Sequence, residues 1–377
     1  MKILVNNQDW GQNEMRRLND TYGGVGYYRL WKPYQQIVGH DKEFIGQAIK
    51  RYGPEGEERW DKLFQDNDVY WTSYFCNDKV ASNIFYHRDK HKKKVIVDVD
   101  DNYLDILASN PLYDKYKPTK KNRSILGATL FFSDAVTVST EPLKQRLIQY
   151  FKEIHGQDLS HKIYVLPNFN DLEDWNHRPA KKKKFIIGYS GSNSHHDDLE
   201  MMMPHLGRLM EKYPHVHCEI VGSLDHNHFN VFETFSSKVL NRCEILSGTW
   251  TFNEYPAYLA NRGWSIGLAP LVDSPFTRCK SPIKFFEYST YAIPTIASPV
   301  YPYIISTTNN SVITDEENAL LAKPSEWFEK MERLVLDAEL REKLGTNAKK
   351  HIIDHWQYKD SGLGEKINKM LGEISRA

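Results

Sequence analysis

Short apolar, β-branched runs that alternate with longer amphipathic stretches are the feature that most constrains this fold. The runs that predict strands are Ile3 to Val5, Val69 to Tyr74, Val95 to Val99, Ala135 to Val138, Ile163 to Leu166, Phe185 to Tyr189, His217 to Val221, Ser265 to Ala269 and Thr295 to Ala297. Nearly continuous apolar strands separated by helices indicate parallel sheets covered on both faces. The sequence therefore predicts a doubly wound α/β protein.

The alternating pattern restarts after Pro167, which indicates two domains. A polar stretch over residues 168–184 precedes the second series, and its lysines Lys181 to Lys184 are typical of a solvated linker. At about 100 to 200 residues per domain, 377 residues suffice for two. We expect a first Rossmann-like domain over residues 1–170, a second over 171–355, and a final helix within 356–377 that crosses back to the first.

Composition and charge exclude several classes of protein. Hydrophobic residues make up 40% of the chain and charged residues 26%, which excludes overall disorder. Lys plus Arg and Asp plus Glu both number 49, so the overall charge does not require a polyanionic partner. The four cysteines (Cys76, Cys218, Cys243 and Cys279) form no C-x-x-C pair and are expected to be reduced thiols. Without a signal peptide or a long apolar run, the expected location is the cytoplasm.

Two segments of the first series are candidate ligand sites. Gly23-Gly24-Val25-Gly26 precedes Tyr27, Tyr28 and Arg29, and its glycines would let a phosphate approach the backbone, although a flexible connection is the alternative. The loop does not fit a dinucleotide fingerprint, because Arg29 stands where a third glycine is needed. Asp98, Asp100 and Asp101 lie at the end of a predicted buried strand; such carboxylates orient hydroxyls or bind a cation, or else they cap a helix.

The second series contains a similar loop directly after a predicted strand. Ser190 and Gly191 follow Gly188-Tyr189, and residues of the N-cap type come next, which suits a diphosphate. The Gly-Lys-Ser/Thr of a P-loop is missing. His195 and His196 lie on this polar loop, where histidines are more often solvated than metal-bound, so we expect no metal site.

The most specific stretch runs from Ile266 to Ser298. It predicts a strand, a polar loop, a helix that starts near Ser281 with Pro282 in its first turn, and another strand. Lys280 and Ser281 would lie at the helix N-terminus, and Lys284 and Glu287 would share one helix face. A pair of cations there suits a diphosphate and a carboxylate suits paired ribose hydroxyls, whereas a surface salt bridge is the alternative.

These residues resemble the nucleotide-binding half of GT-B glycosyltransferases, and they are most similar to glycosyltransferase family four. KSPIKFFEY at 280–288, AIPTIAS at 292–298 and the tail from Ala338 to Ala348 carry the likeness. It extends, more loosely, to residues 134–143 and 163–168. The resemblance implies two Rossmann-like domains facing each other across a cleft.

The resemblance also assigns roles to single residues. It implies that Glu287 holds the donor ribose, as the second glutamate of the E-x7-E signature. Lys280 and Lys284 would neutralise the diphosphate together with Ser281 and the Ser190-Gly191 loop, and Gly248-Thr249-Trp250 would contact the base. Gly24 and Gly26 are further candidate donor contacts. The first glutamate of the signature is replaced by Cys279, and a thiol is a weak acceptor for sugar hydroxyls.

The implied reaction is transfer of a hexose or pentose from a nucleotide sugar, expected to be a UDP-sugar, with retention of configuration. Catalysis would depend on positioning and on stabilising the leaving group, with Lys280 as the cation and no metal or other cofactor. Asp100 and Asp101 would orient the acceptor hydroxyl, and Tyr27, Tyr28 and Arg29 would contact the acceptor.

Two alternatives remain open at this point. Some bacteriophage glycosyltransferases resemble this combination of motifs and modify hydroxymethylated DNA bases; such an enzyme would act in the host cytoplasm. A groove for DNA phosphates could then be formed by the basic residues Lys90, Lys92, Lys93, Lys94, Lys117, Lys120, Lys121 and Arg123. The second alternative is a GT-B protein that binds a nucleotide sugar without transferring it, which Cys279 favours.

Overall fold

The chain folds around two six-stranded parallel sheets. The computed structural model describes residues 1–7, 24–46, 54–181, 183–222, 232–247, 254–304 and 311–376. Within these ranges the chain divides into two compact units. The first unit comprises residues 1–106, 115–168 and the stretch from Ser361, and the second comprises 107–114 and 169–360. The expected domain borders at residues 170 and 355 stay a prediction. The two compact units are defined by their internal contacts, which is a different property from folding independently.

The first unit has its strands in the order β2-β1-β3-β4-β5-β6, all paired in parallel. Its strands are β1 (Lys2–Asn6), β2 (Asp41–Ile45), β3 (Val69–Ser73), β4 (Lys94–Val99), β5 (Ala135–Val138) and β6 (Ile163–Val165). Its helices are α1 (Lys32–Gln35), α2 (Pro54–Asp66), α3 (Asp78–His91), α5 (Lys120–Phe132), α6 (Glu141–His155) and α14 (Leu363–Arg376), with the short α4 (Tyr113–Tyr116) at the edge of this unit. A π-helical segment, Gly26–Trp31, precedes α1.

The second unit has the strand order β12-β11-β10-β7-β8-β9, again all in parallel. Its strands are β7 (Phe185–Ser190), β8 (Val216–Gly222), β9 (Cys243–Ser247), β10 (Ile266–Ala269), β11 (Thr295–Ala297) and β12 (Leu320–Leu321). Its helices are α7 (His196–Lys212), α8 (Ser237–Leu240), α9 (Tyr255–Ala260), α10 (Ile283–Thr290), α11 (Tyr301–Ile304), α12 (Trp327–Leu336) and α13 (Ala338–His355).

Local sequence explains where helices begin and end. Thr140 accepts a hydrogen bond from the Leu143 amide at the start of α6, and Gly156 ends that helix with a φ of 68°. Asp337 caps α13 in the same way through the Leu340 amide. Helix α10 begins at Ile283, two residues later than expected from Ser281, with Pro282 at the N-cap position. The predicted α/β class with two doubly wound parallel sheets is confirmed.

Each predicted run forms a strand, but three strands were not predicted. These are β2, β9 and β12, and all three lie at the edge of a sheet. Edge strands are packed on fewer sides, so they need no continuous apolar run; β2 has the sequence DKEFI and no fully buried residue.

Candidate functional site

Polar side chains of the second unit meet where the central strands β7 and β10 end. Ser190 is the last residue of β7, and β10 is its direct neighbour in the sheet. Helix α10, which carries Lys284 and Glu287, follows β10 after a loop. Ligands of open parallel sheets bind outside the carboxyl ends of the strands. The second unit therefore has a candidate ligand site at this edge.

Two tyrosines contact Ser190, and one of them also contacts Glu287. The backbone amide of Ser190 donates to the Tyr288 hydroxyl at 2.9 Å. The Tyr255 hydroxyl lies 2.7 Å from Ser190 Oγ and 3.1 Å from Glu287 Oε2. Glu287 is 7% exposed, so its carboxylate is held in a largely desolvated position with its orientation fixed by Tyr255.

A second chain of contacts positions Lys284. Its Nζ lies 3.0 Å from Nε2 of His195, and Nδ1 of His195 lies 2.6 Å from Oδ2 of Asp198. The other Asp198 oxygen accepts from the Val272 amide at 2.6 Å. Since an ammonium is a donor only, His195 must accept at Nε2 and donate from Nδ1–H to Asp198. Asp198, His195 and Lys284 thus form one oriented chain that fixes the lysine nitrogen.

Burial sets the charges in this chain. It lowers the pKa of His195 to about 4, and the nearby Lys284 ammonium acts in the same direction, so the ring is neutral near pH 7. Burial also lowers the pKa of Lys284 to about 8, with a further contribution from Lys280, while Asp198 and Glu287 act against this shift. Lys284 is therefore a cation near neutral pH but is close to losing its proton.

The backbone approaches closely beside this chain. Gly222 at the end of β8 has a φ of +141°, and a Cβ there would lie 1.8 Å from the Gly191 carbonyl oxygen. A Cβ on Gly191 would lie 2.4 Å from the Tyr189 hydroxyl oxygen. Both positions thus need glycine. The absence of a Cβ lets the Ser190-Gly191 loop pack closely against Gly222 and Tyr189.

The side chains of the loop before α10 have separate contacts and do not form one cluster. Lys280 Nζ lies 4.5 Å from the centre of the Phe276 ring, and Ser281 is half-buried next to it. The Cys279 thiol is buried and donates to the Pro275 carbonyl at 3.3 Å. The exposed Asp273 makes an ion pair with Arg278, with 2.6 Å between Oδ1 and Nε. Trp250, the expected base contact, lies outside the described residues.

In the first unit, Arg29 makes a buried ion pair. Its guanidinium donates to both oxygens of Asp98, at 3.1 and 2.7 Å, and to Asn168 Oδ1 at 2.9 Å and the Leu166 carbonyl at 2.5 Å. Thr137 donates to Asp98 at 2.6 Å. Burial raises the pKa of the Asp98 carboxyl, while Arg29 and Thr137 act in the opposite direction. Arg29 therefore joins the π-helical segment to the carboxyl ends of the strands.

The other candidates of this segment, Gly24, Gly26, Tyr27 and Tyr28, directly precede Arg29 in the sequence. Gly24 is exposed, with no atom within 4 Å of a Cβ built on it, whereas Gly26 is buried where the π-helical segment begins. Tyr27 and Tyr28 are each 2% exposed and make an edge-to-face contact with each other. Their roles as donor and acceptor contacts remain predictions.

The two carboxylates proposed to act on the acceptor are half-buried after β4. Asp100 accepts from the Tyr103 hydroxyl at 2.6 Å, and Asp101 accepts from the Asn102 amide at 3.1 Å. Both positions give the carboxylates a defined orientation within the first unit. Their catalytic role remains a prediction.

Sequence reasoning missed four residues of the second-unit site: His195, Asp198, Tyr255 and Tyr288. His195 was expected to be solvated, which is wrong, because it is only 7% exposed. His195 and Asp198 are three apart at the start of α7, a spacing that could have indicated their pairing. Tyr255 and Tyr288 gave no such signal, since their partners are distant in sequence. His196, expected to be solvated, lies with Asp197 and Glu200 in an arrangement whose ligand atoms are within 4.8 Å of one another.

Two parallel six-stranded sheets with flanking helices fit the GT-B fold of two-domain glycosyltransferases, and similar solved structures have this fold. Similar structures include a variant of TarM from S. aureus in complex with Fondaparinux, alpha-GlcNAc-glycerol and UDP, at 14% identity and a TM-score of 0.56 over 85% of this chain and 58% of that chain. The pneumococcal O-GlcNAc transferase GtfA in complex with UDP and GlcNAc matches at 13% identity and 0.60 over 86% of this chain and 61% of that chain. This chain thus spans about three fifths of TarM and GtfA.

A third similar structure has the same extent as this chain. The lipopolysaccharide outer core galactosyltransferase WaaB matches at 12% identity and a TM-score of 0.54, over 100% of both chains. No protein-family model and no curated protein matches the sequence. Among the described helices, none has the length and apolar character that crossing a bilayer requires.

Proposed function

We propose that this protein is a glycosyltransferase that moves a sugar from a nucleotide donor, most simply a UDP-sugar, to an acceptor hydroxyl. The observation that carries this proposal is the oriented Lys284, held by His195, with Glu287 three residues further along the same helix. A fixed cation at the end of a strand suits a diphosphate, and a desolvated carboxylate suits ribose hydroxyls. The neighbours with UDP in their structures support this assignment.

In the proposed reaction, the bond between the anomeric carbon and the diphosphate oxygen breaks. The acceptor oxygen bonds to that carbon, and the acceptor proton passes to the departing phosphate. Lys284 and Lys280 would stabilise the charge that develops on the leaving group, which is the main contribution a protein can make to such a transfer. We propose retention of configuration by analogy with family four, with Asp100 and Asp101 orienting the acceptor.

We propose a glycan acceptor and a hexose as the transferred sugar. WaaB is a galactosyltransferase of the lipopolysaccharide outer core and GtfA is an O-GlcNAc transferase, so both are named for hexose transfer. Modified DNA is less well supported, because several lysines of the expected groove already pair with carboxylates. These pairs are Lys90–Asp61, Lys93–Asp68, Lys94–Asp134 and Lys121–Asp78. Phage origin, a cytoplasmic location and independence from metal remain predictions.

The decisive experiment measures release of nucleoside diphosphate from a panel of UDP-, GDP- and ADP-sugars. Each donor is offered with lipopolysaccharide-type oligosaccharides, with hydroxymethylated DNA, or alone. We expect release from a UDP-hexose that a glycan stimulates and DNA does not. Stimulation by DNA would replace the glycan proposal, and donor binding without release in any reaction would favour the protein that binds without transferring.

Two variants connect this activity to the site. Lys284→Ala should abolish release, because the leaving diphosphate loses its positioned cation. Lys323→Ala is the matched control, since Lys323 is an exposed lysine of the same unit and its Nζ is 4.0 Å from Glu326. Equal activity of both variants would contradict the assignment of this site.

A further inference from the structure

Helices α2 and α3 of the first unit bring together three side chains of metal-ligand type. Asp61 lies on α2, and His87 and His91 lie four residues apart on α3. One ligand atom from each lies within 4.8 Å of the other two. Residues i and i+4 share a helix face, so both imidazoles face the carboxylate on the neighbouring helix.

The distances within this cluster are short. Nε2 of His91 lies 2.7 Å from Oδ1 of Asp61, and Nδ1 of His87 lies 3.3 Å from the same oxygen. Tetrahedral zinc holds nitrogen and oxygen ligands about 2.0 to 2.2 Å from the ion, which places the ligand atoms roughly 3.3 Å apart. The three side chains therefore need only small rotations to surround an ion.

His87 gives an independent indication that the cluster has a ligand. The side chain is 4% exposed, and its Nδ1 lies 3.3 Å from Oδ1 of Asp61 without making a well-formed hydrogen bond to any described residue. Buried polar atoms normally have a partner, so an exception calls for an explanation. The His87 ring stacks on Phe64, with centroids 6.0 Å apart, which holds Nδ1 directed at Asp61.

We propose that Asp61, His87 and His91 form a binding site for a transition-metal ion of the zinc class. Two imidazoles and one carboxylate are ligands that Zn²⁺ accepts, with water in the fourth position. His91 is the last residue of α3, three residues before β4 begins, so the site lies toward the amino end of that strand. It is thus at the opposite edge of the first sheet from Asp98 and Asp100, and it would join two helices.

One charge competes with the ion: Lys90 Nζ lies 2.5 Å from Oδ1 of Asp61. If the cluster binds a metal ion, removing this ammonium should strengthen metal binding. If the cluster is only a set of ion pairs, removing the ammonium would remove one of these pairs and give no gain in metal affinity.

The test is Zn²⁺ titration of the untagged full chain by calorimetry, together with the visible spectrum of the Co²⁺ form. We expect one ion bound per chain at this site, a tetrahedral Co²⁺ spectrum, and a dissociation constant raised about tenfold or more by Asp61→Asn or His91→Gln. Lys90→Met should lower the dissociation constant. His87 is in the core, so the two less buried ligands provide variants that keep the fold.

The chain offers a matched control in a second histidine pair. His351 and His355 are also four apart on one helix, with ring centroids 5.0 Å apart, but the described residues add no carboxylate to them. His355→Gln should leave Zn²⁺ binding unchanged. Zn²⁺ affinity that is equal in wild type, Asp61→Asn and His91→Gln, or an octahedral Co²⁺ spectrum, would overturn the proposal.

Discussion

Lys284 directs its Nζ to within 3.0 Å of Nε2 of His195, so an ammonium is held against a ring that burial keeps neutral. A lysine side chain has many rotamers, and fixing it costs conformational entropy. In this protein the loss of side-chain entropy occurs on folding, because His195 and its partner Asp198 already fix the Lys284 side chain. The cation is therefore positioned before any ligand arrives, which is the condition under which electrostatic stabilisation is most effective.

The first prediction concerns the pH dependence of UDP binding. The pKa of Lys284 is lowered to about 8, so the ammonium is present below this pH and is lost above it. We expect the dissociation constant of UDP to rise about tenfold between about pH 7 and about pH 9. Calorimetric titration across this range measures it. Lys284→Arg should remove the dependence, because arginine keeps its charge; an unchanged pH profile in that variant would refute the role of Lys284.

The second prediction separates positioning from general stability. Asp198→Asn removes a carboxylate that raises the pKa of Lys284, so the weakening of UDP binding should begin at a lower pH. At pH 7 we expect binding about tenfold weaker, since a hydrogen bond to a charged group contributes about 1.5 kcal/mol or more. The measurement is the same titration. A uniform loss of affinity with no change of the pH profile would indicate that Asp198 is merely structural.

A third prediction tests the ribose contact of Glu287. Glu287→Gln keeps the shape of the side chain but removes a charged acceptor for hydroxyl groups. At about pH 6, where Lys284 keeps its proton, we expect UDP to bind about tenfold more weakly to the variant, while inorganic diphosphate binds with little change. Competition titrations with both ligands measure the difference. If both ligands weaken equally, Glu287 acts on the diphosphate region and not on the ribose.

The ion pair in the first unit gives a fourth prediction, on stability. Arg29→Met leaves the Asp98 carboxylate buried without its cation, and we expect a loss of about 3 to 5 kcal/mol in the free energy of unfolding. Chemical denaturation measures this loss. The double variant Arg29→Met/Asp98→Asn removes the charge and keeps an oxygen for Thr137, so it should recover part of the stability. A double variant less stable than Arg29→Met alone would contradict this explanation.

The fifth prediction uses the close approach at Gly191. Gly191→Ala should be destabilising, because its Cβ would lie 2.4 Å from the hydroxyl oxygen of a fully buried Tyr189. Tyr189→Phe removes that oxygen, which has no hydrogen-bond partner among the described residues, and should cost little stability. The double variant should then be more stable than Gly191→Ala. Thermal unfolding of the three variants provides the comparison.

The sequence predicted the central strands well, because strands buried on both faces must be apolar throughout. The edge strands β2, β9 and β12 escaped prediction, since one open edge permits sequences such as DKEFI. The spacing of Lys284 and Glu287 predicted that both lie on one helix, and both lie on α10. The contact between His195 and Lys284 spans 89 positions, and that between Arg29 and Asp98 spans 69, so only the folded sheets bring them together.

The placement of α14 affects the order in which the chain can fold during synthesis. This helix belongs to the first unit, where Glu373 accepts a hydrogen bond from Tyr164, although the second unit lies between them in the sequence. At about 5 to 20 residues per second, the ribosome needs roughly 10 to 40 s to make the residues between Asn168 and Ser361. Throughout that time the first unit lacks α14, whose apolar residues Leu363, Ile367 and Met370 are buried in the folded protein, so the surface that this helix covers stays exposed to solvent.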